Sequence, residues 1–254
     1  MENFVISLDS AIDRRTHIKN EFGAKKINFS FFDAINPNTL NTVCNKYNLD
    51  LSHSQLSENE KSCFMSHYVL WNKAIEENIE YIAIFEDDIY LGASAEIFLN
   101  SEEWINVDII KVEKTKETVL LSSKNRKKSY NGQNYSLSKL KSSHMGAGGY
   151  ILSLRAAKDL VDYINISEQI DHVDQIIFKW YREANNLNIY QINPVLCVQD
   201  CILYPENQKF QSSLQWRERD KVKLSVYAKI KRELNRLLLK IIEIPYRVKL
   251  IFIK

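Results

Sequence analysis

Three adjacent acids, Glu86-Asp87-Asp88, follow directly on an uninterrupted apolar run, Tyr81-Ile82-Ala83-Ile84-Phe85. Carboxylates crowded where a segment has just left the core repel one another, and a cation or hydrogen-bond donors must offset that repulsion. A hard divalent ion, Mg²⁺ or Mn²⁺, takes one or two carboxylates together with phosphate oxygens. A metal–diphosphate site is therefore one reading of the triplet, and a solvated acidic turn is the other. His67 lies on the apolar face of a helical pattern, where a hydrogen-bonded core histidine is the commoner outcome than a ligand. The cluster Gly146-Ala147-Gly148-Gly149 has neither a P-loop lysine nor dinucleotide spacing. Its glycines fit the close approach of a donor or acceptor group, with His144 and Met145 as candidate lining.

The elements that must position these residues follow from periodicity. Phe4 to Leu8 reads as a short buried strand, and Ser10 to Asp13 as a helix start with the Ser10 hydroxyl as cap and Asp13 at the positive end. Ile27, Phe29 and Phe31 alternate as in a second strand. Asn36 to Ser57 is polar and Asn-rich, and reads as a loop with room for one helical turn. Ser57 and Glu60 form a capping box, after which Cys63, Phe64, His67, Leu70, Trp71, Ala74 and Ile75 recur at helical spacing. The Tyr81–Phe85 strand comes next. Strands around Val107–Val112, Thr118–Ser122, Tyr150–Leu152 and Ile189–Ile192 follow, with helices near Ala156–Ile164 and Val173–Ala184 and a basic loop at Lys124–Lys128. Strand and helix alternation predicts an α/β domain with a largely parallel sheet. In such sheets ligands gather beyond the carboxyl ends of the strands, where the triplet sits.

The chain has 254 residues, 45% hydrophobic and 26% charged, enough for one large domain with a core and not the composition of a disordered chain. Its net charge of +2 conceals an asymmetry: residues 221–254 carry ten Lys/Arg against two Glu, so the body is acidic. Within that tail Val222, Val226, Ile230, Leu234, Leu237, Leu238, Ile241 and Ile242 recur at helical spacing between basic residues. This is the pattern of an interfacial amphipathic helix, or of a helix packed on the domain or on a second copy. Basic residues near an anionic lipid surface each contribute on the order of 1 kcal/mol. An acidic body without an aromatic–basic platform argues against nucleic acid as partner. The spacing of Cys44, Cys63, Cys197 and Cys201 fits neither a zinc knuckle nor a redox pair, and reduced thiols in a cytoplasmic protein are expected. No signal peptide and no membrane span are expected.

Ser57 to Ile89 resembles the signature region of the family 25 glycosyltransferases, the bacterial lipooligosaccharide galactosyltransferases and their relatives in collagen modification. The matching pieces are Leu56-Ser57, Glu60, Cys63-Phe64-Met65-Ser66-His67, Trp71, the Tyr81–Phe85 strand and Glu86-Asp87-Asp88. Ile6-Ser7-Leu8 with Arg14-Arg15, Asp33-Ala34, Gly148-Gly149-Tyr150-Ile151-Leu152-Ser153 with Ala156-Ala157, and His172-Val173-Asp174 match in order. Ser62 stands where the family usually has a glycine.

The resemblance implies a GT-A-like, Rossmann-type nucleotide-sugar-binding domain over residues 1–215, followed by the basic helical tail of residues 216–254. It implies a UDP-sugar donor, galactose foremost, and inverting transfer to a lipooligosaccharide saccharide. Asp88 with Glu86 would hold Mn²⁺ or Mg²⁺. Ser7, Leu8, Arg14, His67, Glu86, Asp87, Gly148 and Gly149 would border the donor, with at least one of Arg14 and Arg15 merely solvated. Asp174 would be the base that takes the acceptor proton, with Asp171 in reserve, although a first-turn helix acid is the equal alternative for Asp174. Together these imply work on the cytoplasmic face of the inner membrane, held peripherally by the tail. A non-catalytic nucleotide- or carbohydrate-binding module of the same fold is the alternative.

Overall fold

The computed structural model describes residues 1–122, 127–143, 145–167, 170–185, 188–210, 233, 236 and 240–254. His144, Lys124–Arg126 of the basic loop, and the tail positions Val222, Val226, Ile230, Leu234, Leu237 and Leu238 lie outside them. In chain order the elements begin with β1 (Glu2–Ser7), α1 (Ile12–Ala24), β2 (Ser30–Asp33), α2 (Pro37–Lys46) and α3 (Glu58–Glu76). Next come β3 (Tyr81–Glu86), β4 (Ile89–Leu91), α4 (Ala95–Leu99), β5 (Ile109–Lys111), β6 (Glu113–Lys114), β7 (Thr118–Leu120), β8 (Lys127–Tyr130) and β9 (Gln133–Lys139). The rest are β10 (Gly149–Ser153), α5 (Leu154–Ile166), α6 (Val173–Gln175), a π-helical stretch Ile176–Tyr181, α7 (Arg182–Asn185), β11 (Ile189–Asn193), β12 (Cys197–Gln199), α8 (Asp200–Leu203), a 3₁₀ turn Ile244–Tyr246 and β13 (Arg247–Lys249).

Among the described residues the strands form an eight-stranded sheet in the order β2-β1-β3-β10-β5-β11-β9-β8, a three-stranded sheet β4-β12-β6 and the pair β13-β7. The α/β class holds, but the expected largely parallel sheet does not. β2, β1 and β3 run parallel, β10 is antiparallel to both β3 and β5, and β9 and β8 continue antiparallel. The β3 strand is buried on both faces. Ile82 and Ile84 join the core under α3 and α5, while Ala83 and Phe85 join the opposite core with Ile18 and Phe22 of α1 and Phe98 of α4. That two-sided burial is why the strand reads as an unbroken apolar run.

The Ser57–Glu60 capping box is present: the Ser57 N–H and hydroxyl donate to Glu60 Oε2 at 2.6 and 2.8 Å. The helix it starts buries Phe64, Met65, His67, Tyr68 and Trp71. Two local expectations change. Residues 37–46, read as loop, are helix α2, capped by Asn36, whose side chain accepts from the N–H groups of Asn38 and Thr39 at 2.9 and 3.3 Å, with Pro37 in the first turn. Ser10 does not cap α1; Ala11 precedes it and makes no side-chain cap.

The chain's end is built into the body. β13 pairs with β7, Leu250 is buried, and Ile251 and Ile253 accept from Val195 and Ala93 N–H at 2.9 and 2.7 Å. The expected boundary at residue 215 therefore does not separate these last residues from the domain. Ile241 and Ile242 are exposed. No helix among the described residues is long and apolar enough to cross a membrane. All four cysteines are free thiols.

Candidate active site

Parallel pairing of β1 with β3 sets Ile6 opposite Glu86, so the chain leaves both strands side by side at Ser7 and Asp87. Ser7 Oγ donates to Asp87 Oδ2 at 2.6 Å, and Arg14, from the first turns of α1, donates to Asp87 Oδ1 at 2.5 Å. Asp87 is thus clamped by the chain's own groups on both oxygens and is buried. The expectation that Arg14 or Arg15 is merely solvated is overturned. Arg15 donates to the carbonyls of Ser7 and Leu8 at 2.9 and 3.0 Å, pairs with Asp33 and lies over the Phe31 ring, so it ties the carboxyl ends of β1 and β2 together. Leu8 is exposed and serves through that carbonyl.

Glu86 and Asp88 are joined by a residue the sequence reading passed over. Antiparallel β12 sets Gln199 opposite Ile89. Its Nε2 donates to Glu86 Oε2 at 2.7 Å and to Asp88 Oδ1 at 3.2 Å. The other oxygen of each, Glu86 Oε1 and Asp88 Oδ2, makes no hydrogen bond among the described residues. Burial pushes Glu86 well above the usual carboxylate range, helped by the charges of Asp88, Glu113, Asp87 and Asp174. Burial raises Asp88 as well, opposed by Arg14 and the Gln199 amide. Two oxygen donors that carry mutual repulsion and keep an unused oxygen each fit a hard divalent cation.

Around this pair lie further groups missed from the sequence. Glu113 is fully buried, paired with Lys111 and accepting the Gly148 N–H at 3.1 Å through Oε1, while its buried Oε2 has no partner. Burial raises its pKa, opposed by Lys111. Lys111 interrupts the apolar run before Glu113, so the pattern that flags Glu86 is absent there. Gly148 and Gly149 admit close approach, but by the chain itself. A Cβ on Gly148 would meet Glu113 Oε2 and Gln199 Cδ at 2.8 Å, and one on Gly149 would meet Cys197 Sγ at 2.4 Å. The space expected for a donor sugar there is filled by these side chains.

His67 is fully buried. Its Nδ1 lies 2.7 Å from Tyr150 Oη, which also accepts from Trp71 Nε1 at 3.0 Å; Nε2 has no partner. Burial lowers its pKa to about 3, so the ring is neutral. Burial raises the Cys63 thiol, with Glu86, Asp174 and Glu60 adding to it.

Asp174, in α6, accepts the Gly146 N–H on Oδ2 and the Gln175 N–H on Oδ1, both at 2.8 Å. Its charge reaches Glu86 and Cys63, so the fold brings it into their neighbourhood. Asp171 is engaged elsewhere, accepting from Trp180 Nε1 at 3.0 Å. Beside the Arg14–Asp87 pair opens a cleft of about 380 Å³ lined by Ser10–Arg14, Lys209 and Phe210. Arg14 and Lys209 lie over the Phe210 ring at 5.3 and 5.0 Å. A larger cleft of about 670 Å³ between the end of α2 and the start of α3 contains none of the expected site residues.

The sequence profile of glycosyltransferase family 25 (LPS biosynthesis protein) matches residues 1–177. The lipooligosaccharide biosynthesis protein lic2B of Haemophilus influenzae is 40% identical, covering 97% of this chain and 92% of that protein. The lipooligosaccharide biosynthesis protein lex-1 of the same species is 34% identical over 93% of this chain and 89% of its own length. The lacto-N-neotetraose biosynthesis glycosyltransferase LgtE of Neisseria gonorrhoeae is 38% identical over 79% of this chain and 74% of its own.

Proposed function

We propose that this chain, which belongs to glycosyltransferase family 25, transfers a hexose, galactose foremost, from a UDP donor to a lipooligosaccharide saccharide with inversion. The observation that carries the reading is the Glu86–Asp88 pair: two carboxylates at the carboxyl end of β3, linked by Gln199, each with an oxygen unused among the described residues. They lie beside the cleft lined by Arg14 and Lys209, which presents two cations to a diphosphate. The relatives named for lipooligosaccharide and lacto-N-neotetraose biosynthesis support a saccharide acceptor.

Asp88 and Glu86 would hold Mn²⁺ or Mg²⁺, which when bound supplies a Lewis acid to offset charge on the departing UDP. Asp87 keeps Arg14 and Ser7 fixed at the edge of the cleft. Arg14 and Lys209 would face the diphosphate. Asp174 would take the acceptor hydroxyl proton; each of its oxygens holds one backbone N–H and has a further lone pair to offer. The 221–232 basic segment would keep the protein peripherally on the cytoplasmic face of an anionic membrane.

A transfer assay with UDP-galactose, Mn²⁺ and a lipooligosaccharide acceptor tests the proposal, with UDP-glucose and the N-acetyl donors in parallel. Asp88→Ala is expected to lower turnover roughly 100-fold and to abolish its metal dependence; unchanged turnover would refute the metal assignment. For Asp174→Asn, transfer should fall while UDP binding persists. Lost folding would instead assign Asp174 to the Gly146 loop alone.

A further inference from the structure

We propose that Cys63, His67 and Glu86 form a second metal site, which shares Glu86 with the all-oxygen pair and takes Zn²⁺ or a similar borderline transition ion. Cys63 and His67 stand four residues apart on α3, so their side chains share one face of the helix. The Cys63 Sγ, one His67 ring nitrogen and a Glu86 carboxylate oxygen all lie within 4.8 Å of one another.

A second observation points to a ligand there. His67 Nε2 is fully enclosed and has no hydrogen-bond partner among the described residues. Its other nitrogen is held by Tyr150 Oη at 2.7 Å, and Trp71 fixes that hydroxyl from the far side. A ring anchored through Nδ1 with a bare Nε2 is the arrangement of a metal-ligating histidine whose outer partner sets its orientation. The donor set decides the ion. Sulfur, imidazole nitrogen and carboxylate oxygen suit Zn²⁺ or Co²⁺, whereas Mg²⁺ and Mn²⁺ favour oxygen alone. On binding, the S–metal bond forms as the Cys63 thiol proton passes to solvent. Three protein ligands leave one position open. Cys63 and Glu86 are partly exposed, so an ion can enter from their side. The site ties Glu86 to α3 and leaves Asp88 as the ligand belonging to the all-oxygen site alone.

The full chain, stripped with chelator, loaded with Zn²⁺ and dialysed, is expected to retain one Zn²⁺ per chain by elemental mass spectrometry. Co²⁺ in its place should give a near-ultraviolet thiolate-to-cobalt charge-transfer band. Cys63→Ser is nearly isosteric and should keep its thermal midpoint yet lose the band and weaken Zn²⁺ binding on the order of tenfold or more. His67→Gln should weaken it likewise. Asp88→Ala should keep both the band and the stoichiometry, which separates this proposal from the donor-site assignment. Absence of retained Zn²⁺, a Co²⁺ complex without the band, unchanged affinity in folded Cys63→Ser, or loss of Zn²⁺ in folded Asp88→Ala would each overturn it.

Discussion

Glu86, Asp88 and Glu113 are carboxyl groups held where ionisation is disfavoured, while His67 is an imidazole held neutral. Between a carboxyl group's unfolded pKa and its raised folded value, the native state keeps a proton that the unfolded state has lost. Native stability therefore falls as pH rises through that window. His67 acts in the opposite direction, costing stability on the order of 1 kcal/mol per pH unit, but only below about 6.5, where the unfolded ring charges. Above pH 6.5 the carboxyl contribution stands clear of it. In chelator, the urea midpoint is expected to fall as pH rises from the ordinary carboxyl pKa towards the raised folded one, and Mn²⁺ should flatten that decline by favouring the ionised carboxylates; a carboxyl contribution that rises with pH, seen by comparison with Glu86→Gln, would contradict the assignment. Gln199 gives a sharper test. Gln199→Leu removes the amide shared by Glu86 and Asp88, and should weaken Mn²⁺ binding by about tenfold in calorimetry while the fold is retained.

At the scale of elements, the capping box that starts α3 was legible because Ser57 and Glu60 stand at fixed spacing before an apolar run. Glu60→Ala should lower stability by roughly 1 kcal/mol in denaturant melts. Helix α2 carried the same kind of signal in Asn36, Pro37 and Thr39. Its polar composition outweighed that signal because the face it buries rests on few residues, Leu40 and Cys44 among them. The β3 strand and its acidic end were readable for a physical reason, since burial on both faces leaves no polar alternation. The antiparallel insertion of β10 between β3 and β5 was not readable, because strand direction is set by where the chain returns, not by local pattern. Nor was Gln199, a neutral side chain whose role exists only through β12 lying against β4. The glycines show the same division. Gly23 has nothing within 4 Å of an added Cβ, so Gly23→Ala in α1 should stabilise by about 0.5–1 kcal/mol. Gly149→Ala must displace Cys197 Sγ and should cost about 1–3 kcal/mol. Thermal melts of the two variants should move in opposite directions.

For the whole molecule, the basic C-terminal region has two parts with different duties. Residues 247–254 complete the body through β13 and the buried Leu250, while Lys221, Lys223, Lys229, Lys231 and Arg232 supply the charge concentrated ahead of it. A truncation at residue 220 would remove both parts and confuse lost folding with lost membrane affinity. Reversing the five charges to Glu leaves β13 in place. The reversed protein should keep its thermal midpoint, since β13 and the buried Leu250 are unchanged. It should pellet less with vesicles containing phosphatidylglycerol. Equal pelleting would remove the membrane proposal and leave the transferase reading untouched.

The Gln199 bridge spans 113 residues of chain to Glu86 and 111 to Asp88, and the Ser7–Asp87 clamp spans 80. Closing loops of that size is slow, because their entropy is lost before the contacts that reward it can form. Helix α3, with its local cap, has no such wait. In a refolding experiment helical ellipticity should therefore recover ahead of Mn²⁺ binding. The interval between the two phases measures how long β3 waits, its carboxylates exposed to water, for β12 to arrive and give the cation site its shape.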